Sequence, residues 1–438
     1  MGHSDRTVII LIGPMAGKPA FLINRKRIGD RSRMLKIGPA MSRELKLLLL
    51  VWLFVGITSG IYDTAFSNYL NEIFHISAQT RGLLELPREF PGFIVAIVSG
   101  LLVFLSDVRM FGVAVSLVCL GMFGQSFYQW GGEPQFGWMV FTMIVWSVGT
   151  HLFLPLSNSL SIDLAEPGKI GRVLGALNAA NTFAAIIGCA SIWVVTGWLK
   201  FQYSDLFRLG AFFALLAVIC AFMMRPPRHQ RPKTTFKLVF RKQYSIFYWL
   251  SVLYGARKQV FLTFAPWVLI KVYHQPVTQI AKLVLIASSF GVIFKYFLGQ
   301  LIDRVGERTI IVAESLIMTL VCLGYGFAGY FGLGKTTVDL VCLCYILDNM
   351  LMAITIARTT YLHKILVTPD DLTPSLSMGV SLDHLVAMTL PALGGLLWNR
   401  YGFEYIFLFA ALIATLNLLV ALGIRTAQPH IAENVAAE

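Results

Sequence analysis

The sequence predicts an all-α polytopic membrane protein of twelve transmembrane helices, arranged as two six-helix, pseudo-symmetric halves. Three observations carry that prediction. Of 438 residues, 56% are hydrophobic and only 13% charged, about half the charged share of a typical soluble domain. The apolar residues fall in long blocks, and a hydrocarbon core about 30 Å thick needs roughly 20 of them per helix. The Lys and Arg residues, 36 against 23 Asp and Glu, gather largely in the links between blocks.

Taken in order, the expected crossings are 45–70, 82–106, 110–128, 136–160, 174–196, 206–224, 244–270, 279–300, 310–330, 338–361, 378–398 and 404–423. The link 107–109 makes the second and third a tight hairpin. Residues 225–243 carry Arg225, Arg228, Arg231, Lys233, Lys237, Arg241 and Lys242 and no acid. Short links rich in Lys and Arg stay on the cytoplasmic side, so both termini are expected there, in a cell membrane of the bacterial inner-membrane type. The chain then divides into a basic tail 1–44, an N-terminal bundle 45–224, a basic linker 225–243, a C-terminal bundle 244–423 and a tail 424–438. The first tail is read as cytoplasmic, or as partly a misread start ahead of Met34 or Met41. Its Gly13–Pro19 stretch is no nucleotide loop, because Pro19 stands where a magnesium-binding hydroxyl is needed.

Several classes are excluded. No zinc, helix-turn-helix or RNA-binding signature accompanies the basic charge, so no nucleic-acid partner is expected. No H-E-x-x-H, carboxylate box or soluble catalytic domain points to an enzyme. Cys119, Cys189, Cys220, Cys322, Cys342 and Cys344 lie in apolar segments without a C-x-x-C pair, which indicates neither a disulfide framework nor a metal site, and no cofactor is expected.

Ionisable residues inside a membrane helix are costly enough to be functional candidates by default. Asp63 lies in the body of the first span, and Arg257 and Lys258 near the middle of the seventh. If the halves are related, these spans face each other across a cavity. Asp63 then pairs with Arg257 or Lys258 when the cavity is empty, and an anionic solute replaces it. Tyr62 and Asn178 are further expected substrate contacts. Glu85, Arg88 and Glu89 open the second span at helical spacing, so Arg88 can meet either acid. With Asp63, Glu85 and Glu89, the expected proton carriers include His151, Asp348, Asp383 and His384, because imidazoles and desolvated carboxyls titrate near neutrality. Arg358, Lys295 and Glu314 are placed near cytoplasmic helix ends, within snorkelling reach of water.

The loops at 163–175 and 367–379 share a polar stretch with Pro before a helix opens near Gly175 and Gly379. Their spacing fits a parallel repeat of the two halves. Between the eighth and ninth spans stands Gly299-Gln-Leu-Ile-Asp303-Arg304-Val-Gly306-Glu-Arg308. The two glycines permit close backbone approach, and Asp303 can meet the positive N-terminus of the next helix.

This loop resembles the signature of the major facilitator superfamily, close to G-x-L-x-D-R-x-G-x-R, and with the helix count and central basic loop the likeness covers residues 45–423. The first-half counterpart keeps Asp107 and Arg109 but lacks the glycine four residues before the acid. The resemblance implies a gate at this loop and alternating access around a central cavity. The function expected is secondary active transport of a small organic solute, anionic and proton-coupled as in a symporter, by a monomer in the lipid bilayer. The alternatives are proton-driven efflux of lipophilic or cationic compounds, and a receptor or enzyme on the same scaffold.

Overall fold

The computed structural model describes residues 41–101, 107–166, 169–226, 241–368 and 371–424. The expected tails 1–40 and 425–438, most of the linker, residues 102–106 and the side chain of Asp107 lie outside the described residues. What is described is nearly all helical: α1 (Arg43–Phe74), α2 (Ala78–Leu83), α3 (Glu85–Leu101), α4 (Asp107–Gln125), α5 (Phe136–Leu164), α6 (Ile170–Gly197), α7 (Tyr203–Phe222), α8 (Ser245–Lys271), α9 (Val277–Phe327), α10 (Thr336–Leu351), α11 (Thr355–Ile365), α12 (Leu372–Tyr401) and α13 (Phe403–Leu422). Two-residue strands, β1 (Gln129–Trp130) and β2 (Glu133–Pro134), join α4 to α5. Their turn passes through Gly131 (φ 63°) and Gly132 (φ 89°), the paired positive φ of a tight hairpin.

Among the described residues, ten helical segments are long and apolar enough to cross a membrane. The expected second and seventh crossings are not among the ten. The second begins as α2, N-capped by Ser77, whose hydroxyl accepts from the Thr80 amide at 3.1 Å. It continues as the 17-residue α3. The seventh is α8, whose length suffices but whose apolar run is broken by Arg257 and Lys258.

Among the described residues the apolar interior forms three clusters. One, drawn from residues 244–424, centres on Phe261, Tyr325 and Phe407, with the last two rings stacked at 4.7 Å. A second includes Tyr62, Tyr69, Trp146 and Phe207, and a third Trp52, Phe111 and Phe153. Large apolar side chains such as Phe183, Trp193, Leu320 and Leu393 face outward, as they do where the surrounding solvent is lipid. Helices α1 and α6 touch backbone to backbone: a Cβ on Gly60 would run into the Ala185 carbonyl, and one on Gly188 into that of Ile57.

Helix α9 holds two of the expected spans in one run, broken in dihedral angle at Gly306 (φ 82°, ψ 159°). That conformation is open to glycine and strained for other residues. A Cβ on Gly299 or Gly306 would meet nothing within 4 Å, so neither serves the close approach expected of it. Gly306 answers a backbone requirement instead.

A clasp joins the start of α8 to the start of α12. Tyr244 Oη donates to Asp371 Oδ2 at 2.7 Å, Arg241 Nε lies 2.8 Å from the same oxygen, and the Val367 amide donates to Tyr244 Oη at 3.0 Å. The Tyr244 hydrogen bond, aided by the Arg241 charge, holds the Asp371 carboxyl below the usual carboxylate range. A group depressed on folding contributes stability above its unfolded value, about 3.9, and loses it as pH falls through the lower folded value. Acid unfolding followed by tryptophan fluorescence is therefore expected to be steeper below about pH 4 in the parent than in Asp371→Asn.

Candidate functional site

Where α1, α3 and α5 face α8, α9 and α10, the helices enclose a cavity of about 410 Å³. Its polar wall includes Asp63, Arg88, Glu89 and His151 on one side, and Lys258, Gln259, Asp348 and Asn349 on the other. One end is sealed by contacts between early and late helices. Asn68 Nδ2 donates to the Gln275 carbonyl at 3.2 Å, Lys271 Nζ to Asn71 at 3.0 Å, and Asn399 to Gln79 at 3.2 Å. There α2 lies on α12 with no room for side chains: a Cβ on Gly395 would sit 2.6 Å from the Ala78 carbonyl, and one on Gly82 would strike Pro391.

The turn from α2 into α3 sets four charges at helical spacing. Glu85 is fully buried and receives Arg81 through one oxygen and Arg88, at 2.6 Å, through the other. Gln259 of α8 donates to the Arg88-bound oxygen at 2.8 Å. Arg88 also lies 3.0 Å from Oε1 of Glu89, its neighbour in the chain, so it meets both acids. Sequence reading missed Arg81 and Gln259: the first lies on a separate short helix, and the second is neutral.

Glu89 reaches further. Its Oε2 lies 3.3 Å from His384 Nδ1 on α12 and 3.8 Å from His151 Nε2 on α5. The imidazoles meet edge to face with centroids 5.2 Å apart. A Cβ on Gly92 would collide with both rings.

The expected pairing of Asp63 with Arg257 or Lys258 is not formed. Successive residues point about 100° apart on a helix, and these two cations take different partners. Arg257, 3% exposed, turns into the late-helix core and lies 2.9 Å from Glu314 of α9. Lys258 faces the cavity and lies 2.5 Å from Asp383 of α12. Asp63 lines the cavity with no ion pair among the described residues. Asp348, 3% exposed, leaves Oδ1 without a hydrogen bond. Tyr62 also lines the cavity, its ring stacked on Trp146 at 3.8 Å. Asn178 does not: it is exposed on α6 and donates to the Leu174 carbonyl of its own helix at 2.8 Å.

Two of the three residues expected near water at helix ends are instead buried. Glu314 is 5% exposed, and Arg358, 8% exposed, donates to the Leu250 carbonyl at 3.2 Å and Thr355 Oγ1 at 2.8 Å. Its guanidinium lies 3.5 Å over the Tyr254 ring. Burial without a carboxylate is tolerable there because aromatic face and backbone dipole replace the counterion. Lys295 is exposed as expected. Arg358, Ser251, Thr355 and Asp383 line a second cavity, of about 320 Å³. The Lys258–Asp383 pair therefore stands between the two, with Lys258 on the wall of the larger and Asp383 on that of the smaller.

In the α9 motif, Asp303, Arg304 and Arg308 are exposed, and Asp303 has no ion pair among the described residues. Asp303 stands three residues before the backbone break at Gly306, where the second half of α9 begins. The paired acid of this stretch is Glu307, buried and 2.7 Å from Lys364 of α11. Arg109 is exposed at the start of α4.

No curated protein sequence matches the chain. Solved structures do. The nucleoside transporter NupG superposes with TM-score 0.71 at 13% identity, covering 89% of this chain and 100% of that one. A bacterial homologue of the iron transporter ferroportin, in an inward-facing state, gives 0.72 at 14%, covering 88% and 99%. A POT family transporter in complex with 5-aminolevulinic acid gives 0.70 at 11%, covering 87% and 95%. At such identities the likeness is one of fold. The sequence itself matches the family model of the Major Facilitator Superfamily over residues 48–366. With 319 of 438 residues inside that match, the chain belongs to the Major Facilitator Superfamily and is a membrane transporter rather than an enzyme.

Proposed function

We propose that this protein is a proton-coupled secondary transporter that moves a small organic anion by alternating access between two six-helix bundles, 45–224 and 244–423. The Lys258–Asp383 pair between the two cavities carries the reading. A proton arriving on Asp383 releases Lys258, and a solute carboxylate or phosphate takes the carboxylate's place. Loss of the proton re-forms the pair and expels the solute. Proton and anion thus move together because they exchange one lysine.

The twofold repeat is supported by the connections after α1 and α8. Each turns through a histidine in the left-handed region, His75 at φ 50° and His274 at φ 51°, a conformation few non-glycine residues adopt. The acid-free basic linker supports cytoplasmic termini. On that orientation the end sealed by α2 and α12 is the outer one, and the protein faces inward. A second reading, efflux of cationic compounds, is favoured by one observation: Asp63 and Asp348 line the larger cavity without an ion pair among the described residues.

The test is a thermal-stability screen of purified protein against succinate, glutamate, uridine, 5-aminolevulinic acid and tetraphenylphosphonium, with Lys258→Ala beside the parent. Stabilisation by an anion in the parent alone, followed by influx of that anion with protons in proteoliposomes, is expected. Stabilisation by the lipophilic cation alone, abolished by Asp63→Asn and untouched by Lys258→Ala, overturns the anion reading in favour of efflux.

A further inference from the structure

We propose that Glu89, His151 and His384 form a binding site for a divalent transition-metal ion such as zinc, which ties α3 and α5 to α12. Glu89 Oε2 and one ring nitrogen from each histidine lie within 4.8 Å of one another. Ligands at about 2.0–2.1 Å in a tetrahedral zinc shell stand about 3.3 Å apart. The carboxylate oxygen is 3.3 Å from His384 Nδ1 and 3.8 Å from His151 Nε2, so the wider of these edges closes by about half an ångström, and the imidazole nitrogens, within 4.8 Å of one another, swing together by up to about 1.5 Å through ring rotation to reach coordination distance. The mixed carboxylate and imidazole set is one that zinc accepts, with a fourth position left toward the cavity.

The tautomer of His151 is fixed by its other nitrogen. Ser147 Oγ donates to the Arg88 carbonyl, so its single proton is committed. His151 Nδ1, 3.1 Å from that hydroxyl oxygen and 2.9 Å from the Ser147 carbonyl, must then be the donor. In the neutral ring this leaves Nε2 with a bare lone pair aimed at Glu89 Oε2, two acceptors face to face. An imidazole whose far nitrogen donates to a backbone carbonyl is in the arrangement that supports metal ligation. The other carboxylate oxygen is held by Arg88 at 3.0 Å, which anchors Glu89 without occupying the oxygen that faces the rings. Gly92 completes the site, since any Cβ there would displace both imidazoles.

The site is independent of the solute and of the direction of transport, and its test needs neither. Untagged, detergent-purified protein is titrated with zinc chloride and cobalt chloride, with thermal stability, bound-metal analysis and the cobalt absorption spectrum as readouts. One equivalent of zinc is expected to bind and stabilise the parent, while magnesium does neither. His151→Gln and His384→Gln should each weaken binding at least tenfold, and Gly92→Ala should weaken it with every donor still present. The cobalt spectrum should show tetrahedral nitrogen and oxygen ligation without a thiolate charge-transfer band. That spectrum is read on the parent, so a thiolate band counts against the site even if a variant does not fold. Absence of stoichiometric zinc binding, binding unchanged in both histidine variants, or a thiolate band would overturn the proposal; the first would leave a shared proton as the occupant.

Discussion

Replacing Glu85 by alanine is expected to lower the stability of the folded protein by about 3–5 kcal/mol, the cost of stripping one partner from a buried ion pair. Its fully buried carboxylate is held by Arg81 and Arg88, and Gln259 reaches it from α8. Removal leaves Arg81, 4% exposed in its side chain, without a carboxylate, and leaves Arg88 with Glu89 alone. It also cuts the hydrogen bond by which Gln259 ties α8 to α3. Glu85→Gln keeps the volume and one acceptor, so its loss should be smaller. Denaturant unfolding in detergent, read by far-ultraviolet circular dichroism, measures both variants. An alanine variant within about 0.5 kcal/mol of the parent would mean that water enters and solvates the two guanidiniums, and the network would not be a structural one.

Arg257→Ala is expected to cost a comparable 3–5 kcal/mol, about what is lost when a buried charge is orphaned. Its guanidinium faces Glu314 and lies in the field of Asp348, all three nearly inaccessible. Without it two acids share one unneutralised interior. The double variant Arg257→Ala/Glu314→Gln should recover part of the loss, a coupling of about 0.5–3 kcal/mol. The same variant separates structure from transport. If Arg257 only holds the late helices together, the residual folded protein binds solute as the parent does, whereas Lys258→Ala folds and fails to bind. Equal loss of binding in both would return Arg257 to the solute path.

Much of this molecule was legible in the sequence because lipid imposes its demands locally. Long apolar runs had to be helices, and the α9 motif named a family that the family model confirms. Spacing gave the meeting of Arg88 with Glu85, three residues before it on one helix face, whereas its contact with the adjacent Glu89 is not one that helical spacing predicts. What sequence could not give was which charge meets which across helices. Arg257 and Lys258 are neighbours in sequence and look like one feature there, yet the helix turns them to different counterions. The distance of Glu314 and Arg358 from a span end points to water, but burial depends on the side of the helix they stand on. Glu89 and His384 lie 295 residues apart, so no local window could join them with His151.

The two cations of α8 bear on how the chain enters the membrane. During synthesis α8 reaches the bilayer carrying Arg257 and Lys258 near its middle, at about 2.5–3.5 kcal/mol each on the translocon scale. The counterion of Arg257 arrives with α9, and that of Lys258 lies 125 residues further along, on α12. Until both have been made, α8 is a poor candidate for independent insertion, and a ribosome stalled before Asp383 would leave it at the bilayer surface or held by a chaperone. Stable seating of α8 is therefore expected to wait until α9 and α12 have supplied Glu314 and Asp383.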